Sequence, residues 1–252
     1  MKETSFPKLL KIMNELRTGC PWDRKQTLHS LSHLTVEETY ELTDAIIEED
    51  FEGIKGELGD LLLHIVFYAK IASEKNQFDI EDVIEGICKK LIDRHPHIYG
   101  DVKVKNEEQV KQNWEKLKLK EGKKSVLEGV PKGLPALIKA QRIQDKVAGI
   151  GFDWEKPEQV FEKVKEEIEE FEVESQSQNQ ENMEAEFGDI LFAMINYARH
   201  KKINPERALE LTNKKFIKRF QYLEQETSQK GLKLQDMPLE EMDKYWEEAK
   251  KL

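Results

Sequence analysis

The sequence predicts an all-α protein built from two duplicated helical-bundle domains. Three observations support this prediction: a highly charged composition, few residues that break helices, and an internal repeat. Charged residues make up 36% of the 252 residues, against about 25% in an average soluble domain. Glycine (13) and proline (8) are scarce, and the many turns of an all-β protein would require more of both.

Net charge, apolar segments and cysteine content limit the binding partners and the compartment that we expect for this protein. The chain has 40 Lys and Arg against 50 Asp and Glu, and a net charge of −10 disfavours nucleic acid and anionic membranes. The N-terminus lacks the apolar stretch of a signal peptide, and the longest apolar run, 61–72, is too short to span a bilayer. Cys20 and Cys88 have no metal-ligand spacing. We therefore expect a cytoplasmic protein that binds neither nucleic acid nor membrane.

Motifs in the first half of the chain recur in the second half at nearly constant sequence offsets. Glycine and proline cluster near the middle of the chain, which predicts a linker at 118–135 between domains at 1–117 and 136–252. Five acidic residues of the first domain recur 129 positions later: Glu37 and Glu166, Glu38 and Glu167, Glu41 and Glu170, Glu57 and Glu186, Asp60 and Asp189. Two basic pairs, Lys90 and Arg94 and then Lys215 and Arg219, match at an offset of 125. Such regularity indicates a duplicated domain.

Helical periodicity predicts four or five helices in each half, including one buried helix that follows the acidic residues. The apolar stripes of these two helices are Leu58, Leu61, Leu62, Ile65, Val66 and Ala69, and Phe187, Ile190, Leu191, Met194, Ile195 and Ala198. The segments 50–55 and 175–182 are predicted as loops. His64, inside the first stripe, is expected to be a core imidazole with a hydrogen-bond partner.

The acidic motifs predict a cation site in each half. On a helix, Glu38 and Glu41 share a face, and Glu57 and Asp60 share a face of the next helix. Packing of the two helices would bring four carboxylates together, and a hard divalent cation such as Mg²⁺ relieves their repulsion. The predicted ligands are Glu38, Glu41, Glu57 and Asp60, and Glu167, Glu170, Glu186 and Asp189. A solvated helix face is the alternative for either motif alone, but both copies kept all five acids while intervening residues diverged.

The pattern E-E-x-x-E followed by E-x-x-D resembles the MazG family of all-α nucleoside triphosphate pyrophosphohydrolases. The tandem arrangement and the G-C-P-W-D segment at 19–23 are similar to that family as well. The resemblance implies Mg²⁺-dependent (or Mn²⁺-dependent) hydrolysis of nucleoside triphosphates to the monophosphate and pyrophosphate, with broad base tolerance and a role in nucleotide-pool control. It also implies a homodimer whose subunits complete each other's sites. The nucleotide-contacting residues that it implies are Lys163, Lys215, Arg219 and Trp246, with Trp246 stacked on the base.

The expected reaction needs water to attack the α-phosphorus while pyrophosphate leaves. The predicted catalytic residues are Glu166, Glu167 and Glu170, and Glu166 or Glu37 is the candidate acceptor of the water's proton. Lys163 stands one helical turn before Glu166, whereas the equivalent position in the first half is Leu34. We therefore expect catalysis in the C-terminal half. Two roles stay open for the N-terminal half: a second active site, or a mainly structural domain.

There are four alternatives to the general triphosphate hydrolase. A narrower dUTP/dCTP hydrolase and a phosphoribosyl-ATP pyrophosphohydrolase belong to the same superfamily, but the tandem length favours the general triphosphate hydrolase. A non-catalytic helical regulatory protein would show no Mg²⁺-dependent turnover. A di-iron carboxylate bundle is disfavoured because it needs Glu-x-x-His pairs, and none of the six histidines has a carboxylate three positions before it.

Overall fold

The structure is a computed structural model that describes residues 5–106, 109–110, 113, 125–177 and 179–251. These residues form helices and no β-strand, which confirms the all-α class. The chain divides into two compact units, residues 1–105 and 106–252. The boundary predicted near residue 117 lies outside the described residues and stays a prediction. None of the helices in the described ranges is long and apolar enough to cross a membrane.

The first unit contains four long helices and two short ones among its described residues. They are α1 (Ser5–Gly19), α2 (Pro21–Lys25), α3 (Leu28–Ile47), α4 (Phe51–Ser73), α5 (Ile80–Arg94) and α6 (Pro96–Tyr99). Helix α4 packs against α1, α3 and α5. The core of this unit joins side chains from α1, α3 and α4, each at most 2% exposed: Met13, Leu31, Val66, Phe67 and Ile71. Burial of these apolar side chains therefore fixes α3 against α4.

The second unit is built around a central pair of long helices. Its described helices are α7 (Ala136–Ala148), α8 (Pro157–Ser177), α9 (Gln180–His200), α10 (Pro205–Gln229), a 3₁₀ turn (Leu234–Asp236) and α11 (Leu239–Ala249). Helices α8 and α9 pack along each other, α7 contacts both α9 and α10, and α11 packs on α10. The buried amide of Gln144 on α7 donates a hydrogen bond to the Phe192 carbonyl (2.8 Å) and ties α7 to α9.

Both loop predictions are wrong for most of their described residues, which cap and extend helices; residue 178 lies outside the described residues. Within 50–55, Asp50 is the N-cap of α4, and its Oδ1 accepts the backbone N–H of Glu52 (3.2 Å) and of Gly53 (3.1 Å). Within 175–182, α8 continues to Ser177. Asn179 then caps α9 by accepting the backbone N–H of Asn182 (3.3 Å). Each pair of long helices is thus joined by only a few residues.

The prediction of two buried stripes is only partly confirmed. Val66 and Ala69 are 2% exposed, but Leu58, Leu62 and Ile65 are 53%, 38% and 47% exposed. The equivalent residues of the second unit, Phe187, Leu191 and Met194, are 51%, 50% and 46% exposed. Periodicity identifies an apolar helix face, but it does not identify what covers that face. A contiguous exposed apolar stripe is typical of an interaction surface.

An ion cluster attaches the segment before α8 to the end of α9. The Asp153 carboxylate accepts a hydrogen bond from Arg199, and His200 Nε2 lies 2.9 Å from Asp153 Oδ1. Arg199 Nε also donates to the buried Asn196 Oδ1 (3.0 Å). Burial alone would raise the pKa of Asp153, but the hydrogen bonds from Arg199 and His200 outweigh it and lower that pKa. The cluster therefore stabilises the fold only while Asp153 is charged.

Replacing Asp153 with asparagine is expected to lower the free energy of unfolding of the second unit by about 1–3 kcal/mol at pH 7. Because the folded-state pKa lies below the unfolded value of about 4, the stabilisation is present above pH 4 and disappears as pH falls through the folded pKa. Urea unfolding between pH 2 and 7 should show a difference in free energy of unfolding between wild type and variant, and this difference should become smaller in acid. Asp145→Asn, at an exposed position, is the control. A difference in free energy of unfolding that grows in acid would contradict the stabilising role of charged Asp153.

Candidate active site

In the first unit, α3 and α4 form a helical hairpin that carries the predicted acidic residues. Carboxylate oxygens of Glu38, Glu41 and Glu57 all lie within 4.8 Å of one another, and we call these residues the first trio. Asp60, the fourth predicted ligand, is exposed and is not a member of the trio. Its negative charge nevertheless acts on Glu38. The hairpin thus brings three of the four predicted carboxylates into mutual reach.

The electrostatics of the first trio favour a cation. Burial raises the pKa of Glu38, and the charges of Asp60, Glu41 and Glu57 raise it further. Among the described residues, no lysine or arginine forms an ion pair with the trio. Carboxylate oxygens at this spacing, from two half-buried residues and the exposed Glu41, fit the oxygen-rich coordination of a hard divalent cation.

In the second unit, α8 and α9 form the equivalent hairpin. Carboxylate oxygens of Glu167, Glu186 and Asp189 lie within 4.8 Å of one another, and we call these residues the second trio. Glu167 is buried, with 7% of its surface exposed. Glu170 is not a member of the trio; burial raises the pKa of Glu170, the charge of Lys163 opposes the rise, and the charge of Glu167 adds to it. The third member therefore differs between the units, because Glu41 and Asp189 are not equivalent residues.

Helices α8 and α9 also line a groove of about 430 Å³ beside the second trio. The groove is open and acidic, and its lining residues are Glu166, Glu169, Glu170, Val173, Glu174 and Glu186. Because Glu186 belongs to the trio as well, the groove and the trio are continuous. An anionic ligand would enter this groove only if cations accompanied it or were already there.

Lys163 lies against the second trio. Its Nζ is 2.7 Å from Glu166 Oε1 and 2.7 Å from Glu167 Oε1. These contacts follow from helix geometry, since residues three and four positions apart are neighbours on one face. The hydrogen bonds to Glu166 and then to Glu167 raise the pKa of Lys163, so its ammonium stays protonated at neutral pH. The equivalent Leu34 of the first unit is half-buried and supplies no charge.

The other predicted nucleotide contacts lie on α10 and α11. Arg219 Cζ is 5.8 Å from the centroid of the Trp246 ring, so these two residues are brought together. Lys215 is exposed on α10, four residues before Arg219. Phe216 joins this group, with its ring 4.9 Å from that of Trp246, and Phe220 lies alongside Phe216 at 6.3 Å. The two phenylalanines were not among the residues predicted from the sequence, although their spacing of four beside Lys215 and Arg219 was a usable signal.

A buried polar network ties α3 to α4 one helical turn from the first trio. His64 is 7% exposed, and its Nδ1 lies 3.1 Å from Thr35 Oγ1, which lies 2.5 Å from Tyr68 Oη. Burial lowers the pKa of His64, against the influence of Asp60. The prediction of a core imidazole with a partner is confirmed. In the second unit the positions of Thr35 and His64 hold Val164 and Ala193, so this network is specific to the first.

Comparisons with known proteins agree with this architecture. The family model of the MazG nucleotide pyrophosphohydrolase domain matches the chain twice, at residues 26–99 and 155–223, and the two matches contain both trios. The nucleoside triphosphate pyrophosphohydrolase of Escherichia coli K12 is 42% identical, with 97% of this chain and 96% of that protein covered. The nucleoside triphosphate pyrophosphohydrolase/pyrophosphatase MazG of Thermotoga maritima is 44% identical, with 99% and 98% covered.

A solved structure of a mazG-related protein from Thermotoga maritima covers 45% of this chain and 98% of that chain, at 25% identity and a TM-score of 0.40. The family assignment depends on the sequence matches, which span more than half of the chain in the family model and nearly all of it in the two relatives. The chain therefore belongs to the MazG nucleotide pyrophosphohydrolase family and is an enzyme of the hydrolase class.

Proposed function

We propose that the protein hydrolyses nucleoside triphosphates to nucleoside monophosphates and pyrophosphate, with Mg²⁺, at the second trio. The observation that carries the proposal is a carboxylate trio with a protonated lysine, Lys163, lying against it. The relatives from E. coli and T. maritima are named for the same activity. Cytoplasmic nucleotide-pool control, with free nucleotides as substrates and no nucleic acid, fits the net charge of −10.

Glu167, Glu186 and Asp189 would hold the metal in this proposal, with Glu170 beside them. Bound Mg²⁺ supplies neutralisation of phosphate charge and a more acidic water, and Mn²⁺ suits the same oxygen ligands. The donor set fits, because three carboxylates at this spacing repel one another and accept a hard cation readily. The first trio offers the same chemistry in the first unit.

The chain's own residues have separate tasks in the proposed reaction. Lys163, Lys215 and Arg219 donate charge-assisted hydrogen bonds to phosphate oxygens. Trp246 stacks on the base, and stacking tolerates every base because each has a π-face, so broad base specificity follows. Glu166 lines the groove and accepts the proton of the attacking water.

The exposed apolar stripes support a homodimer as the proposed assembly. Leu62 and Leu191 lie at equivalent positions, and both are exposed in stripes of three large apolar residues. Closed symmetric dimers are the commonest soluble oligomers, and a second copy would remove this apolar area from water. Association of two chains at these helices would also bring further side chains close to the trios that the same helices carry.

The proposed reaction is tested by product analysis. Each common ribo- and deoxyribonucleoside triphosphate, and phosphoribosyl-ATP, is incubated with the protein and Mg²⁺ in ¹⁸O-labelled water, and the products are separated by ion-exchange chromatography. We expect monophosphate and pyrophosphate from most bases, with the label in the monophosphate because water attacks the α-phosphorus, and no turnover after chelation of the metal. Diphosphate and inorganic phosphate as products would refute the proposal.

The same assay separates the alternatives. Turnover confined to dUTP and dCTP, or to phosphoribosyl-ATP, would indicate one of the narrower pyrophosphohydrolases. Absence of turnover with every triphosphate would favour a non-catalytic regulatory protein.

A further inference from the structure

The two trios differ in one charge. In the second unit, the Lys163 ammonium forms an ion pair with Glu167, a member of the second trio, with 2.7 Å between Nζ and Oε1. In the first unit, the position of Lys163 holds Leu34, and no lysine or arginine of the described residues pairs with the first trio. A divalent cation therefore meets a lysine charge at the second trio, whereas it meets none from the described residues at the first trio.

A cation that enters the second trio competes with Lys163. The oxygen of Glu167 nearest the ammonium is already engaged, and a divalent ion placed close by meets a like charge at short range. Glu167 is buried, so water screens this repulsion poorly. The lysine also has a second partner, since Glu166 lies at the same distance of 2.7 Å. Glu166 therefore holds the ammonium beside Glu167, and a cation at the trio meets this charge until another anion draws the ammonium away.

A triphosphate changes this competition in favour of the metal. Its oxygens carry several negative charges and accept hydrogen bonds from an ammonium as a carboxylate does. Lys163 is half-buried, with 34% of its side chain exposed, so an anion can approach it. Once the ammonium binds phosphate, Glu167 becomes available to the cation. By linkage, if bound nucleotide raises the affinity for metal by some factor, bound metal raises the affinity for nucleotide by the same factor.

We propose that Lys163 is a counter-ion that couples the two ligands of the second site. It occupies Glu167 until a triphosphate takes its ammonium, so that metal and nucleotide bind there cooperatively. The first trio, where Leu34 takes the position of Lys163, binds a divalent cation without nucleotide. This inference rests on the proposed function, because it assumes that the second trio binds metal and that its substrate is a triphosphate.

Mn²⁺ binding, followed by electron paramagnetic resonance and calorimetry, tests the coupling apart from turnover. Glu57→Gln is used as the parent protein. This substitution removes a carboxylate of the first trio, so that the Mn²⁺ binding that is measured is binding at the second trio. We expect α,β-methylene ATP, which resists hydrolysis at the α-phosphorus, to tighten Mn²⁺ binding by about tenfold or more. Lys163→Met should bind Mn²⁺ alone about tenfold more tightly than the parent and lose most of the coupling. Lys165→Met is the matched control, because Lys165 pairs with Glu162 on the same helix.

The first trio gives the reciprocal test. In a Glu186→Gln parent, Leu34→Lys should weaken Mn²⁺ binding and make it dependent on α,β-methylene ATP, whereas Leu34→Met should not. Equal Mn²⁺ affinity in Lys163→Met and its parent, with normal hydrolysis in the wild type, would overturn the coupling and leave the proposed function intact. Lack of both Mn²⁺ binding at the second trio and triphosphate hydrolysis would overturn the proposed function itself.

Discussion

Replacing Glu167 with glutamine is expected to lower kcat/KM for triphosphate hydrolysis by roughly 10²- to 10³-fold. Glutamine keeps the size of the side chain and removes its charge. The second trio then loses a charged ligand, and Lys163 loses one of its two carboxylate partners at 2.7 Å. Pyrophosphate release, measured over a range of Mg²⁺ concentrations, checks this expectation.

Two matched variants make the result specific. Glu172→Gln changes an exposed carboxylate of the same helix that is neither in the trio nor in the groove lining, and it should retain activity. Glu38→Gln changes the equivalent residue of the first trio, and it should retain most activity if the second unit is the catalytic one. Normal turnover in Glu167→Gln with loss in Glu38→Gln would assign catalysis to the first unit instead.

Replacing Leu31 with alanine is expected to lower the free energy of unfolding of the first unit by about 3–5 kcal/mol. Leu31 is 1% exposed and lies in the cluster formed by Met13, Val66, Phe67 and Ile71, so its removal leaves a cavity between α3 and its neighbours. Urea unfolding measures the loss. Leu28→Ala, at a position of the same helix that is 38% exposed, should cost much less.

Hydrogen exchange locates the effect of the Leu31 substitution. Amides of α1, α3 and α4 should exchange faster in Leu31→Ala, because these helices share the cluster, whereas α8 and α9 should keep the wild-type rates. Because α3 also carries Glu38, binding of Mn²⁺ at the first trio should weaken as well. Unchanged exchange in α3 would show that the cluster does not hold this helix in place.

The carboxylate sites were largely predictable from the sequence. Helix geometry alone shows which acids share a face, and the offset of 129 residues shows that Glu38 and Glu57 have counterparts in Glu167 and Glu186. These four residues belong to the trios in both units. The third member was not predictable, because side-chain rotamers and the distance between two helices decide whether it reaches the others.

Features that depend on tertiary contacts were predicted less well. The segments 50–55 and 175–182 look like loops because their residues are polar, yet caps at Asp50 and Asn179 turn most of them into helix. The contact between Arg219 and Trp246 joins two helices, and sequence spacing carries no information about it. Periodicity also assigned Leu58 to a buried face, although 53% of its surface is exposed.

The short connections between paired helices have a consequence for the order of folding. Glu38 and Glu57 are only 19 residues apart, as are Glu167 and Glu186, so each carboxylate site is completed by one helical hairpin. Contacts this local form quickly, well before distant parts of a chain meet. The newly made hairpin therefore brings like charges together early, at a stage when little else holds its helices. Divalent cations in the refolding buffer should accelerate this step by neutralising the charges as the helices dock.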